Sequence, residues 1–216
     1  MVAVNLLLIV IAGYLLGSIP TAIIAGKLLK GIDVREHGSG NAGATNVFRV
    51  LGWQAGLLVL AIDIAKGFVA TKYASQIALV PLDISPVYLM FLGGVSAVFG
   101  HIWTVFAGFK GGKGVGAAAG MLIALYPVAV LICFAIFAVV VATTRYVSLG
   151  SITAAVSLPV VLWLLQSYYG KTVEAPLYWF SIFVAILIVF THRSNLGRLL
   201  AGTENKFGSA SPKTEP

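Results

Sequence analysis

Charge is scarce in this chain. Only 10% of its 216 residues are Asp, Glu, Lys or Arg, 59% are apolar, and the mean hydropathy is +0.99. A soluble domain carries about 25% charge and 45–50% apolar residues. Too little polar surface is present to face water on all sides, which excludes an ordinary soluble enzyme and a disordered chain. Cysteine is scarcer still. Cys133 stands alone, which excludes an intrachain disulfide, a disulfide scaffold and a cysteine-based metal site. Acidic residues number seven against 14 Lys and Arg, for a formal charge of +7. In a soluble protein that excess would suggest nucleic acid. Here the basic residues sit between apolar runs, so membrane topology and anionic ligands explain them, and no nucleic-acid partner is expected.

What abounds is apolar sequence. Runs cover about 4–25, 53–73, Pro86–Ala107, 115–141, 147–166 and 177–190, on the scale needed to cross roughly 30 Å of hydrocarbon. The fold class is an all-α integral membrane protein. Residues 1–5 carry no positive charge, so the first run reads as a retained span rather than a cleaved signal peptide. The fourth run is long for one crossing, and Tyr126-Pro127 near its middle is a natural break.

The positive-inside rule arbitrates. Lys27, Lys30, Arg35 and Arg49 fill the first loop, Lys110 and Lys113 the third, and Arg193, Arg198, Lys206 and Lys213 the tail. One crossing through 115–141 puts the basic tail outside. Two crossings, Val115–Leu125 and 127–141, bring Arg145 and the tail inside, so that eleven of the fourteen basic residues share one face. The expectation is a seven-transmembrane-helix bundle with the N-terminus outside and the C-terminus cytoplasmic. Val115–Leu125 would rise only about 16 Å as a helix, which suits a short or re-entrant segment buried in protein. A single transmembrane domain is expected over 1–207, followed by a flexible tail at 208–216.

Four polar islands interrupt the apolar runs, and this topology places them at or near the cytoplasmic face. The first is 38–49, Gly-Ser-Gly-Asn-Ala-Gly-Ala-Thr-Asn-Val-Phe-Arg. Its glycines, Gly40 and Gly43 among them, let backbone approach a ligand, and successive N–H groups can form an anion-binding nest. Ser39, Asn41, Thr45 and Asn46 add short polar groups, and Arg49 brings a fork suited to phosphate. A flexible loop with helix-capping residues accounts for less of this composition.

The second island is Phe109-Lys110-Gly111-Gly112-Lys113-Gly114. It is not a Walker P-loop, because Ala107 stands at the first glycine position and Gly114 replaces the metal-binding hydroxyl. A Gly/Lys loop opening a helix still cradles phosphate through N–H groups and ammonium charge. A pair of topology-setting lysines is the plainer alternative. Gly112, Gly116 and Gly120 continue at four-residue spacing, which reads as close helix packing.

The third island runs from Thr191 to Phe207. On a helix, His192, Asn195 and Arg198 share one face. A juxtamembrane anchor explains the arginines but not His192 and Asn195. The fourth is Asp63-Ile64-Ala65-Lys66-Gly67, inside a span, where charges are expensive unless paired. Asp63 and Lys66 read as a structural ion pair, with Lys66 also able to reach a ligand phosphate. Arg145, Ser148 and Ser151 add polar groups to the same pocket. His101 is either a core histidine or a site residue, and His37 a loop residue.

Together these islands resemble the bacterial acyl-phosphate-dependent glycerol-3-phosphate acyltransferase family (PlsY). Residues 38–49 match its first motif, Gly-Ser-Gly-Asn-x-Gly-Ala-Thr-Asn-x-x-Arg, at every fixed position. Gly100-His101 and 109–115 resemble its second motif. His192-Arg193-x-Asn195, Arg198, Gly202, Glu204 and Phe207 resemble its third, and Asp63-x-x-Lys66-Gly67 and Ser148 also fit. Thr104 departs from the pattern, which has proline before Val105-Phe106.

The resemblance implies a multi-pass enzyme of the bacterial cytoplasmic (inner) membrane with its active site facing the cytoplasm. It would move a fatty acyl chain from acyl phosphate to the 1-hydroxyl of glycerol 3-phosphate. Lysophosphatidic acid and inorganic phosphate result, at the first step of phospholipid synthesis. Ser39, Asn46, Arg49, Lys110, His192 and Asn195 are the expected catalytic residues. Gly40, Asn41, Gly43, Thr45, Lys66, Gly111, Gly112, Lys113, Arg145, Ser148, Arg198 and Glu204 are the expected substrate- or phosphate-binding residues. Membrane lipids and the enzyme supplying acyl phosphate are the expected partners of a monomer.

The chemistry suits these residues. Two phosphorylated substrates need several cations, and the basic residues can neutralise them, so no metal and no cofactor are expected. Acyl phosphate is already an activated anhydride, and no Ser-His-acid triad is visible, so the substrate hydroxyl attacks directly. Its proton passes either to His192 or to an oxygen of the donor phosphate. The developing oxyanion needs positioned donors, from Asn46, Asn195 or loop N–H groups. A transporter of a phosphorylated metabolite is the alternative function. Such proteins show internal repeats and a midplane site, whereas here the halves show no repeat and the charge gathers at one face.

Overall fold

An α-helix satisfies its backbone polar groups within one segment, as a lipid environment demands. Among the described residues the chain forms helices and no strands. The computed structural model describes residues 1–77, 79–170 and 173–207. The expected tail at 208–216 therefore lies outside the described residues. The chain divides at Leu125/Tyr126 into two compact units. The first contains α1 (Val2–Ser18), α2 (Thr21–Lys30), α3 (Ala44–Leu51), α4 (Trp53–Lys72), α5 (Pro86–Ile102) and α6 (Val115–Leu125). The second contains α7 (Pro127–Thr144), α8 (Val147–Tyr169), α9 (Ala175–Thr191) and α10 (Arg193–Leu200).

Among the described residues, five stretches are long and apolar enough to cross a membrane: Val2–Lys30, Trp53–Gln76, Pro86–Ala107, Pro127–Thr144 and Val147–Tyr169. A sixth arises if α9 and α10, bent by 60° at their junction, form one broken span. The break expected at Tyr126-Pro127 is present, with Pro127 opening α7. It leaves α6 as an apolar helix of 11 residues. The run at 4–25 is divided where a single helix was expected. Pro20 has no N–H to give, and its ring crowds the carbonyl one turn earlier. Accordingly α1 closes at Ser18 and α2 opens at Thr21. This break frees the carbonyl of Ile19 for a partner outside its own helix.

Large apolar side chains face outward, and polar ones share the interior with the apolar core. Leu131, Phe134, Trp163, Trp179 and Ile186 are exposed, whereas the most buried side chains include Asn5, Ser18, Asn46, Thr71 and Thr104. Apolar groups gain nothing by hiding from lipid, so the helices associate through close packing and internal polar contacts. In the first unit, α5 packs on α1 and α4, and α6 packs on α4. Gly120 permits that last approach, because a Cβ there would overlap the Ile64 carbonyl. Gly116 faces Asp63 in the same seam. Gly112, expected to continue this spacing, instead lies in the loop before α6. In the second unit, α8 packs on α7 and α9.

Candidate active site

In the first unit, the glycine-rich island is a loop that leads into α3. Gly38 and Gly40 take φ of 61° and 72°, the left-handed region, which glycine enters without steric cost. The loop is organised by Asn46, which is 1% exposed. Its Nδ2 donates to the carbonyls of Val34 (2.7 Å) and His37 (3.0 Å), and its Oδ1 accepts from the Ser39 N–H (2.8 Å). Both amide hydrogens are thus committed within the loop, and Asn46 holds Ser39 in place. Thr45 and Arg49 lie one turn apart on α3 and share a face, both half-buried. Gly40 is exposed, while Asn41 and Gly43 are half-buried, before the first turn of α3.

The second island is fixed against the end of α5. Gly111 and Gly112 donate their N–H groups to the carbonyls of Ile102 and His101, both at 3.0 Å. A Cβ on Gly112 would overlap the His101 ring. Glycine is required here because the loop lies directly on the imidazole. Lys110 is exposed and Lys113 half-buried. Phe109 precedes them with φ of 59°, held by its N–H bond to the Thr104 carbonyl (2.8 Å). The departure at Thr104 is absorbed locally, because its buried hydroxyl donates to the Ser18 carbonyl.

Beneath this loop lies the buried ion pair. Lys66 Nζ is 2.9 Å from Asp63 Oδ1 and donates to the Ile19 carbonyl at 2.9 Å. Thr21, in the first turn of α2, donates to Asp63 Oδ1 at 2.6 Å, and His101 Nδ1 lies 3.5 Å from the same oxygen. The Pro20 break therefore supplies two of the partners that make a buried lysine and aspartate tolerable. Ile19, Pro20, Thr21, Ala42, Lys66, His101, Thr104, Gly111 and Gly112 line a small cleft. Both glycine-bearing islands and the ion pair thus border one space. Sequence reasoning missed Thr21 and the Ile19 carbonyl, since neither stands out without the kink.

In the second unit, Glu204 is the organising residue. Its Oε1 accepts from Ser148 Oγ (2.9 Å) and Asn195 Nδ2 (2.6 Å), and its Oε2 from Arg198 Nε (2.7 Å). Burial pushes the Glu204 carboxyl upward, but these donors outweigh it and hold it below the usual carboxylate range. A carboxylate repels phosphate, so this geometry suits a role in orienting Arg198 and Asn195.

Glu204→Gln keeps the shape and removes the charge. Above the unfolded value a lowered carboxyl contributes its full stabilisation, and this is lost as pH falls through the folded value. The variant should therefore melt lower in detergent at neutral pH, with a loss of about 1.5–3 kcal/mol. Its deficit against the wild type should narrow as pH falls through the carboxylate range. Thermal scans at several pH values read both effects.

His192 ends α9 and is 3% exposed. Its Nδ1 lies 2.8 Å from the Ile188 carbonyl. A carbonyl can only accept, so Nδ1 carries the hydrogen, and in a neutral ring Nε2 would be the acceptor. Asn195 and Arg198 follow on α10 at three-residue spacing and converge on Glu204, as their common face implied. Arg145 is exposed, takes φ of 63° and exchanges bonds with Phe207. Its Nε donates to the Phe207 carbonyl at 3.0 Å, and its carbonyl accepts the Phe207 N–H at 2.6 Å.

Long apolar helices enclosing buried polar networks define a multi-pass membrane protein. The family model described as glycerol-3-phosphate acyltransferase matches residues 7–202, and the chain belongs to that family. The glycerol-3-phosphate acyltransferase of Chlorobaculum tepidum is 47% identical, with 93% of this chain and 95% of that one covered. The corresponding protein of Chlorobium limicola is 48% identical over 94% of this chain and 96% of its own. The crystal structure of PlsY (YgiH), an integral membrane glycerol 3-phosphate acyltransferase in its glycerol 3-phosphate form, superposes with a TM-score of 0.81. It is 40% identical, covering 94% of this chain and 96% of that one. Its lysophosphatidic acid form gives 0.78 at 39% identity, with 94% and 95% covered.

Proposed function

We propose that this protein transfers a fatty acyl chain from acyl phosphate to the 1-hydroxyl of glycerol 3-phosphate, releasing lysophosphatidic acid and inorganic phosphate. The observation that carries the reading is the cleft bordered by both glycine-bearing islands and Lys66, in a chain belonging to this family. Ser39, Arg49, Lys110 and Lys113 bind substrate phosphate, with backbone of Gly40, Asn41, Gly43, Gly111 and Gly112, the Thr45 hydroxyl and Lys66 around them. Asn46 acts by holding the first loop rather than by touching substrate. Arg145, Arg198 and Asn195 serve the polar substrate groups, with Ser148 and Glu204 orienting them.

The substrate hydroxyl oxygen attacks the acyl carbon while the bond from that carbon to the phosphate oxygen breaks. His192 Nε2 accepts the hydroxyl hydrogen bond and orients it. Behind Nδ1 stands a backbone carbonyl rather than a carboxylate, which does little to stabilise an imidazolium. The proton therefore ends on the departing phosphate, which grows more basic as its bond to carbon breaks. No acyl-enzyme and no metal enter this scheme.

The same reading takes the chain as one transmembrane domain over 1–207 with a tail at 208–216. It makes seven crossings, with the N-terminus outside and the C-terminus and active site cytoplasmic, in a bacterial inner membrane. The protein works as a monomer among membrane lipids, supplied by an enzyme that makes acyl phosphate. Donor choice tests the proposal. Purified protein should form lysophosphatidic acid from palmitoyl phosphate and glycerol 3-phosphate but none from palmitoyl-CoA. Equal use of the thioester would overturn the acyl-phosphate donor.

A further inference from the structure

A residue outside both phosphate-binding loops fastens them together. Arg35 sits in the 3-10 turn Val34–Glu36, just before Gly38. Its Nε lies 3.1 and 3.2 Å from the two carboxylate oxygens of Asp33, and its Nη2 lies 2.7 Å from Oδ2. The Arg35 backbone N–H adds a 2.9 Å bond to Oδ1. A planar guanidinium gripped in this way has its plane fixed. Its remaining prong, Nη1, is then aimed across the chain at the carbonyls of Ala107 (2.9 Å) and Lys110 (3.3 Å). The carbonyls of Val34 and His37, flanking Arg35, are the ones that hold Asn46. One short turn therefore grips the Gly38 loop through Asn46 and the Lys110 loop through Arg35.

We propose that Arg35, oriented by Asp33, is a positioning residue for acyl transfer: it locks the loop that carries Lys110 in register with the loop that carries Ser39. The proposal rests on the acyltransferase reading of these loops. The carboxylate neutralises the guanidinium, and the directed hydrogens are used within the protein, which separates Arg35 from a substrate-binding arginine. The hydrogen bond from Arg35 holds the Asp33 carboxyl down, to about 2, so the grip persists through the neutral range.

Two substitutions distinguish geometry from charge. Arg35→Lys keeps the charge but loses the fork. If the fork matters, it should lose about 10²-fold in kcat/KM for glycerol 3-phosphate, close to the loss in Arg35→Gln. Asp33→Asn gives the opposite sign under the two accounts. A positioning arginine left without its anchor raises KM and lowers kcat, whereas a substrate-binding arginine relieved of a neighbouring carboxylate lowers KM. Hydrogen exchange of the amides in 105–112 gives a readout independent of turnover and should quicken in all three variants.

The proposal is overturned by a lowered KM in Asp33→Asn, by Arg35→Lys retaining wild-type kcat/KM, or by unchanged exchange. If the wild type itself transfers no acyl group while exchange quickens in the variants, the acyltransferase reading falls and the catalytic role with it. The fastening of the two loops would then stand alone.

Discussion

Alanine at position 63 should leave little folded protein. Asp63 is 2% exposed and Lys66 is 6% exposed, and the ammonium lies against the Asp63 carboxylate and the Ile19 carbonyl. Removing the carboxylate strands an ammonium inside the helix packing, and breaking such a buried pair costs about 3–5 kcal/mol. Lys66→Met should be milder, because Asp63 keeps the Thr21 hydroxyl and the adjacent His101. The double substitution Asp63→Leu/Lys66→Met should recover much of the stability lost in Asp63→Ala, since an apolar pair leaves no charge uncompensated. Thermal unfolding of the purified variants in detergent reads all three. Wild-type melting of Asp63→Ala would show that the pair does not hold α2, α4 and α5 together.

His192→Ala should be the most damaging change to turnover that leaves the fold intact. The ring is buried at the end of α9, and its hydrogen on Nδ1 faces a carbonyl, so on the proposed reading Nε2 is the atom that accepts from the substrate hydroxyl. Losing that acceptor should lower kcat/KM by about 10²–10³-fold. If the proton ends on phosphate, the residual activity should keep the acidic limb of the wild-type pH profile. A residual profile flat through that limb would make the imidazole itself the base.

Much of this was legible because it was local. Tyr126-Pro127 announced a break within the fourth apolar run, and the break is there. The common face of Asn195 and Arg198 followed from helical spacing, and Glu204 gathers both. What stayed hidden depends on partners distant in sequence. Pro20 lies in a run that reads as continuous, yet its kink turns the Ile19 carbonyl toward Lys66, 47 residues away. Gly112 fits a helical spacing with Gly116 and Gly120, but a backbone crossing over the His101 ring claims it first. Arg35 looked like one more inward-facing basic residue, because the carbonyls it grips lie 72 and 75 residues further on. Asn46 was legible as important, though not as a residue whose amide is used up in holding its own loop.

Phosphate release timed against each substrate tests direct acyl transfer from acyl phosphate to glycerol 3-phosphate. Protein at high concentration mixed with palmitoyl phosphate alone should release no burst of phosphate. Adding glycerol 3-phosphate should release phosphate and lysophosphatidic acid in equal amounts. A stoichiometric burst before the acceptor is added, or phosphate without lysophosphatidic acid after it, would contradict the account.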